Sequence, residues 1–194
     1  FLINCSIPQW KKVVNQIERT FQEIPYQIFL SEFSGHITQL AIDAVQQGCK
    51  SLIIAGGDGS VNELVNGIIT SQSFENSTDW NKVTDYTLGI IPMGTGNDFI
   101  KTLNKDLSLQ NLKTHIVQNQ RKIVDIGLAE FTDKKQQATQ RYFINITDVG
   151  MGGIVVAELE KGSSFLSKSN RYKLQITKTF LTYKKSEIKI TAEN

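Results

Sequence analysis

The stretch Gly56-Gly57-Asp58-Gly59-Ser60 constrains this chain more than any other. It follows the apolar run Ser51-Leu52-Ile53-Ile54-Ala55 and opens the helix-like run Val61-Asn62-Glu63-Leu64-Val65. A buried strand, a glycine turn and a helix N-terminus together make a place to hold an anionic phosphate. Glycine lets the backbone come close to a ligand, and the N–H groups of the helix's first turn have no intrahelical partner. A second feature of the same design follows. Pro92-Met93-Gly94-Thr95-Gly96-Asn97-Asp98 comes after the apolar run Thr87-Leu88-Gly89-Ile90-Ile91. Either loop alone says little. After two parallel strands, both would lie on one edge of one sheet, where open α/β sheets bind their ligands.

The rest of the chain supports that sheet. Phe1 to Cys5 reads as a strand, Trp10 to Phe21 as an amphipathic helix, Tyr26 to Leu30 as a second strand and Gly35 to Gln47 as a second helix ended by Gly48. The strand, loop and helix around Gly56 continue the alternation, which is the pattern of βαβ units. Residues 71–86 read as a polar surface loop, with Trp80 packing back. A short helix near Asn97–Leu103 and another at Leu109–Val117 follow. Beyond Arg121 the texture turns antiparallel. A strand over Ile123–Leu128, a connection from Asp133 to Gln140 and a strand at Arg141–Ile146 place a domain boundary near residue 120. A helix is expected over Gly150–Lys161, a longer one over Asn170–Lys184 with Tyr172, Ile176, Phe180 and Tyr183 on one face, and a strand at 187–191.

Composition narrows the function classes. The chain has 194 residues, 40% hydrophobic and 21% charged, and a net charge of +2. Such a balance lacks the clustered basic excess of a nucleic-acid binder. Cys5 and Cys49 have no metal-like spacing, and they favour a reducing, intracellular compartment. No apolar stretch approaches the roughly 18 residues of a membrane span. The chain begins at Phe1 within an apolar run, which leaves preceding residues and a leader open. The lysine-rich segment from Lys161 to Lys189, with Phe165 and Leu166, fits either a solvated helix face or a basic surface that meets an anionic membrane.

Several loop residues carry two readings. Ser60-Val61-Asn62-Glu63 matches a capping box, and Thr95-Gly96-Asn97-Asp98 has a related form. Ser60, Glu63, Thr95 and Asp98 therefore fit as helix caps, as phosphate contacts, or as both. A carboxylate beside a phosphate turn is repelled unless a cation intervenes, so Asp58 points to a magnesium–phosphate site. Its plainer role is an Asp-Gly turn residue. No G-x-x-x-x-G-K-[ST] motif is present, and Gly57-x-Gly59-x-x-Asn62 lacks the third glycine of the dinucleotide fingerprint. His36 and His115 have neither metal spacing nor a nucleophile partner and read as ordinary polar residues.

The strings Gly56-Gly57-Asp58-Gly59-Ser60-Val61-Asn62-Glu63 and Pro92-Met93-Gly94-Thr95-Gly96-Asn97-Asp98-Phe99, with Phe143-Ile144-Asn145-Ile146 and Gly150, closely resemble the diacylglycerol kinase catalytic domain family. That family includes bacterial soluble lipid kinases and sphingosine and ceramide kinases. The resemblance implies an α/β fold: a Rossmann-like, ATP-binding domain over 1–120, then the first part of a β-rich sandwich domain over 121–194. It implies ATP and Mg2+, with transfer of the γ-phosphoryl group to a lipid hydroxyl, most readily that of diacylglycerol. Gly56, Gly57, Asp58, Gly59, Ser60, Val61, Asn62 and Glu63 would line the nucleotide's phosphates. Gly94 and Thr95 would contribute from the second loop, with Asn97 and Asp98 as further contacts. Ser31, four residues before Gly35, stands where the family has a nucleotide-binding threonine. Asn4 matches the Asn of an early Asn-Pro-x-Ser-Gly loop, although Asn4-Cys5-Ser6-Ile7-Pro8 lacks that loop's Pro and Gly in place. Asp58 would meet magnesium through the phosphates. The family's general base, in an Asp-Gly-Glu string, and the remainder of its second domain would fall beyond Asn194. A cytoplasmic location with peripheral membrane contact is implied, with no nucleic-acid partner and with the oligomeric state open, a dimer included. NAD kinases and phosphofructokinases share the first glycine motif but differ in the second. A non-catalytic ATP-binding module is the alternative from another class.

Overall fold

The computed structural model describes residues 1–6, 8–71, 80–103, 108–133, 135–148, 150–161 and 168–183. Its residues divide into two compact units, Phe1–Asn145 and Ile146–Asn194. The first is built on four parallel strands, β1 (Leu2–Asn4), β2 (Phe29–Ser31), β3 (Ser51–Gly56) and β4 (Thr87–Pro92), in the order β2-β1-β3-β4. Helices α1 (Trp10–Thr20), α2 (His36–Gln46) and α3 (Asp58–Ser71) make the crossovers that parallel pairing requires. A 3-10 helix (Trp80–Asp85) leads into β4, and α4 (Asp98–Thr102) and α5 (Leu109–Val117) follow it.

Helices cover both faces of this sheet, which is why β3 reads as an unbroken apolar run. Alternate side chains go to opposite sides. Leu52 and Ile54 join Leu2 and the inward faces of α2 and α3, through Ile37, Ala41, Val45, Leu64 and Ile68. Ile53 and Ala55 join Ile3, Ile91 and the α1 stripe of Val13, Ile17 and Phe21, with Leu112 and Ile116 of α5 packed against them. The four-residue spacing of Val13, Ile17 and Phe21 puts all three on one side of α1. Helix α2 ends as its glycine predicts. Gly48 adopts a φ of +87°, and the N–H groups of Gly48 and Cys49 return to the carbonyls of Val45 and Ala44 at 2.9 and 3.0 Å.

The antiparallel hairpin β5 (Gly127–Thr132) and β6 (Ala138–Phe143) pairs Gly127 with Phe143 and Thr132 with Ala138. The strands expected over 123–128 and 141–146 are thus displaced toward the turn. Asp133 sets that register. Its N–H donates to the Gln137 carbonyl at 2.9 Å, and its Oδ1 accepts from the N–H groups of Lys135 and Gln137 at 2.8 and 2.9 Å. The apolar residues ahead of β5 serve packing rather than pairing: Val124 lies against the α2–α3 core and Ile126 against Val65, Ile69 and Tyr142. The strand expected at Tyr26–Leu30 likewise lies later, at Phe29–Ser31, where β1 supplies its partner.

The second unit contains α6 (Met151–Lys161) and α7 (Lys168–Thr182). Arg171 Nη2 on α7 donates to the Leu159 carbonyl on α6 at 2.9 Å. The apolar face expected on α7 is buried only in part. Thr179 is buried and Ile176 and Tyr183 are half-buried, whereas Tyr172 and Phe180 are exposed among the described residues. The strand expected at 187–191, the loop at 72–79, the Trp80 side chain, and Phe165 and Leu166 lie outside the described residues.

Candidate functional site

In the order β2-β1-β3-β4, the chain winds outward from β1 to β2 and then crosses back to β3. The switch point therefore falls between the carboxyl ends of β1 and β3, where doubly wound sheets open a crevice. Asn4 ends β1 and Gly56 ends β3. Asn4 Nδ2 donates across this gap to Ser60 Oγ at 2.9 Å. Asn4 Oδ1 accepts from the Ser6 N–H at 3.0 Å and from Ser6 Oγ at 2.7 Å, which closes an Asx-type turn without the family's Pro and Gly. Ser31, buried at the end of β2, accepts the Cys5 N–H on its Oγ at 3.4 Å. Burial, then the nearby Glu32 carboxylate, raises the Cys5 thiol above its ordinary pKa. A raised pKa keeps the thiol protonated and poorly nucleophilic.

Helix α3 starts earlier than a capping box at Ser60 predicts. The Val61 N–H donates to the Gly57 carbonyl at 3.1 Å, so Gly57 is the cap and Asp58, Gly59 and Ser60 form the first turn. Their N–H groups are those an α-helix leaves without intrahelical partners. Ser60 is buried against Asn4, and Glu63 does not reach back to it. Glu63 Oε1 instead accepts from the Gly35 N–H, at the start of α2, at 3.2 Å, and its Oε2 is buried with no partner among the described residues. Val61 is in the core. Asn62 turns away from the switch point: its Nδ2 donates to the Tyr142 carbonyl at 3.0 Å and its Oδ1 accepts from Arg141 Nε at 3.0 Å.

The two glycine loops touch backbone to backbone. A Cβ on Gly94 would lie 2.5 Å from the Gly57 Cα and 2.8 Å from Asn97 Oδ1, and one on Gly57 would lie 2.9 Å from the Gly94 Cα. The second loop is closed by Asn97, in the left-handed region at φ +51°, whose side chain accepts from the Gly94 N–H at 2.9 Å and donates to the Gly94 carbonyl at 2.8 Å. Asn is among the few residues that adopt this conformation cheaply. Asp58 completes the junction. Its Oδ2 accepts from the Asp98 N–H at 3.1 Å and its Oδ1 from the Phe99 N–H at 3.0 Å, at the N-terminus of α4. Gly59 differs from these glycines. A Cβ there would have nothing within 4 Å, so among the described residues no atom requires a glycine at that point. Thr95 is exposed at the tip of the second loop.

The structure thus brings Asn4, Ser31, Gly56, Gly57, Asp58, Gly59, Ser60, Gly94, Thr95, Asn97 and Asp98 to one edge of the sheet, joined by Glu63 through Gly35. Asn62 and the side chain of Val61 are turned elsewhere. The link from Gly35 to Glu63 and the two backbone donors bound by Asp58 escape sequence reading, because they join residues about 28 and 40 positions apart. The main chain at Cys5 and Ser6 is also at the crevice, which only the strand order reveals.

Magnesium fits this donor set in one manner. Among the described residues no three His, Cys, Asp or Glu side chains cluster as a metal cage. A Cβ on Gly96 would lie 3.0 Å from Asp98 Oδ2 and 3.3 Å from Asp58 Oδ2, so these two carboxylates flank one point. Magnesium is usually held by one or two carboxylates together with substrate phosphates and water.

The chain is similar to known proteins. Among curated proteins, the diacylglycerol kinase of Staphylococcus saprophyticus subsp. saprophyticus is 34% identical over 122 residues, 63% of this chain and 33% of that protein. The diacylglycerol kinase of Staphylococcus carnosus is 33% identical over 126 residues, 61% of this chain and 35% of that protein. The chain spans about a third of the length of these relatives. A solved structure, described as a candidate diacylglycerol kinase from Bacillus anthracis str. Sterne, superposes with a TM-score of 0.50 at 20% identity, over 88% of this chain and 53% of its own. At that identity the likeness speaks to the fold, which is α/β with a Rossmann-like parallel sheet and a small antiparallel sheet. The family profile described as the diacylglycerol kinase catalytic domain matches residues 5–129. Because that match covers more than half of the chain and takes in both glycine loops, the chain belongs to the diacylglycerol kinase catalytic domain family.

Proposed function

We propose that this chain is the nucleotide-binding part of a lipid kinase that moves the γ-phosphoryl group of ATP to a lipid hydroxyl, that of diacylglycerol first, to give phosphatidic acid. The observation that carries this reading is the joined pair of glycine loops at the switch point, with Gly59 open beside the N–H groups of the first α3 turn. Phosphoryl transfer is catalysed mainly by positioning and by neutralising charge. The N–H groups of Asp58, Gly59 and Ser60 would hold phosphate oxygens, with the field of α3 behind them. Thr95 and the main chain of Gly94 would close over the phosphates from the second loop. Asn4 and Ser31 would contribute from the ends of β1 and β2. Asp58, with Asp98 beside it, would hold magnesium through the phosphates. When bound, that ion neutralises the charge that builds on the transferring group. We also propose that a second domain begins near residue 120, with β5 and β6 as its first strands.

A lipid acceptor places the reaction at a bilayer surface. Among the described residues no helix is long and apolar enough to cross a membrane, which suits peripheral contact.

The test is phosphate transfer from labelled ATP, with magnesium, by the intact protein. Diacylglycerol, sphingosine and ceramide are offered as acceptors, with NAD as the control. Label in diacylglycerol is the expected result. Label in NAD alone would transfer the assignment to an NAD kinase-like enzyme. ATP binding without any product would mark a non-catalytic module.

A further inference from the structure

The loop between β2 and α2 carries an aromatic pair that the phosphate-binding reading does not use. Phe33 and His36 stack face to face, with centroids 4.4 Å apart and planes within 3°. Phe33 is 64% exposed, so the face of its ring away from His36 is open to solvent. An exposed phenylalanine forgoes the gain of burying its apolar area, yet this one is stacked on a neighbouring ring. His36 is the first residue of α2. Its Nδ1 accepts from the Glu32 N–H at 3.0 Å, which leaves the proton of the neutral ring on Nε2. Its own N–H donates to the Phe33 carbonyl at 3.2 Å.

The pair is also built into the edge that carries the glycine loops. Ser31, two residues before Phe33, holds the Cys5 N–H at the end of β1. Gly35, between Phe33 and His36, donates to Glu63 on α3. Ser31 stands two strand spacings from β3 in the order β2-β1-β3, roughly 10 Å. A nucleotide laid along the carboxyl edge toward β2, with its phosphates at Gly57–Ser60, would bring its base to the β2–α2 loop over about that length. Aromatic side chains stack on the π-face that every nucleobase presents, and a purine offers the larger face to stack on.

We propose that the open face of Phe33, backed by His36, is the stacking platform for the purine ring of the nucleotide. The proposal rests on the reading of the glycine loops as the phosphate site. Stacking buries the exposed ring on its second face and orients the base, while the loops fix the phosphates. Phe33 is then a positioning residue for the nucleotide, with no part in the transfer step.

The test is calorimetric binding of ATP, CTP and inorganic tripolyphosphate to the intact protein, its Phe33→Ala variant and its Phe33→Trp variant. Phe33→Ala is expected to weaken ATP on the order of tenfold, to weaken CTP less, and to leave tripolyphosphate unchanged, with a melting temperature near that of the parent. Phe33→Trp restores ATP binding. Unchanged ATP affinity in Phe33→Ala, or equal losses for ATP and tripolyphosphate, would overturn the platform and leave the phosphate site standing. If the parent protein binds neither ATP nor tripolyphosphate, the phosphate site itself fails, and the platform with it.

Discussion

The two glycine loops have the same texture in sequence and opposite standing in the fold. The first opens α3, fourteen residues long, which buries Val61, Leu64, Val65 and Ile68. The second opens α4, five residues long, which buries only Phe99 and Ile100. So short a helix cannot sustain itself. It depends on Asp58 for two hydrogen bonds at its N-terminus and on Gly57 for room. A glycine-rich loop can thus be glycine-rich because another loop lies against it, and the same composition can serve the protein at one position and a ligand at the next.

Breaking the contact should have the largest effect. Gly94→Ala places a methyl group against the Gly57 Cα and Asn97 Oδ1. Main-chain atoms cannot rotate out of the way, so the loops must part. A loss of roughly 2–3 kcal/mol is expected, read as a drop in melting temperature, together with loss of ATP binding. An unchanged melting temperature would show that the loops are not packed together.

Asp58→Ala tests the second tie and has a smaller effect on the fold. The N–H groups of Asp98 and Phe99 lose their acceptor, at a cost of about 1 kcal/mol. Phosphate transfer by the intact protein should nevertheless be abolished if, as proposed, this carboxylate meets magnesium. Near-normal turnover in a variant with the expected melting temperature would leave Asp58 as a helix cap and nothing more.

Much of this was legible in advance. The β3 run and the α1 and α2 stripes are local patterns, and the helices at Trp10, Gly35 and Leu109 follow from them within a residue or so. The hairpin register was not legible, because Asp133 fixes it through four bonds in the turn while Ile123 and Val124 imitate a strand. Within the site, the glycine strings located the loops. Their division of labour depends on distances between residues far apart in sequence. Ser60 shows this well: its spacing to Glu63 fits a capping box, yet its hydroxyl serves Asn4.

Gly59→Ala sharpens the comparison with the smallest change. Gly57 and Gly94 are glycine because each faces the other, whereas a methyl group at Gly59 meets nothing within 4 Å. Gly59 lies in the first turn of α3 and is not among the glycines with positive φ, so alanine suits its backbone. Alanine in a helix is favoured over glycine by up to roughly 1 kcal/mol, less in a first turn. The melting temperature should therefore hold or rise slightly. If phosphate oxygens approach the first-turn N–H groups, the new methyl group stands in their way, and ATP affinity should fall roughly tenfold, about 1.4 kcal/mol. A variant that is more stable and binds more weakly separates the ligand's glycine from the protein's glycines. A variant that is more stable and binds ATP as before would place the phosphates somewhere other than the turn that opens α3.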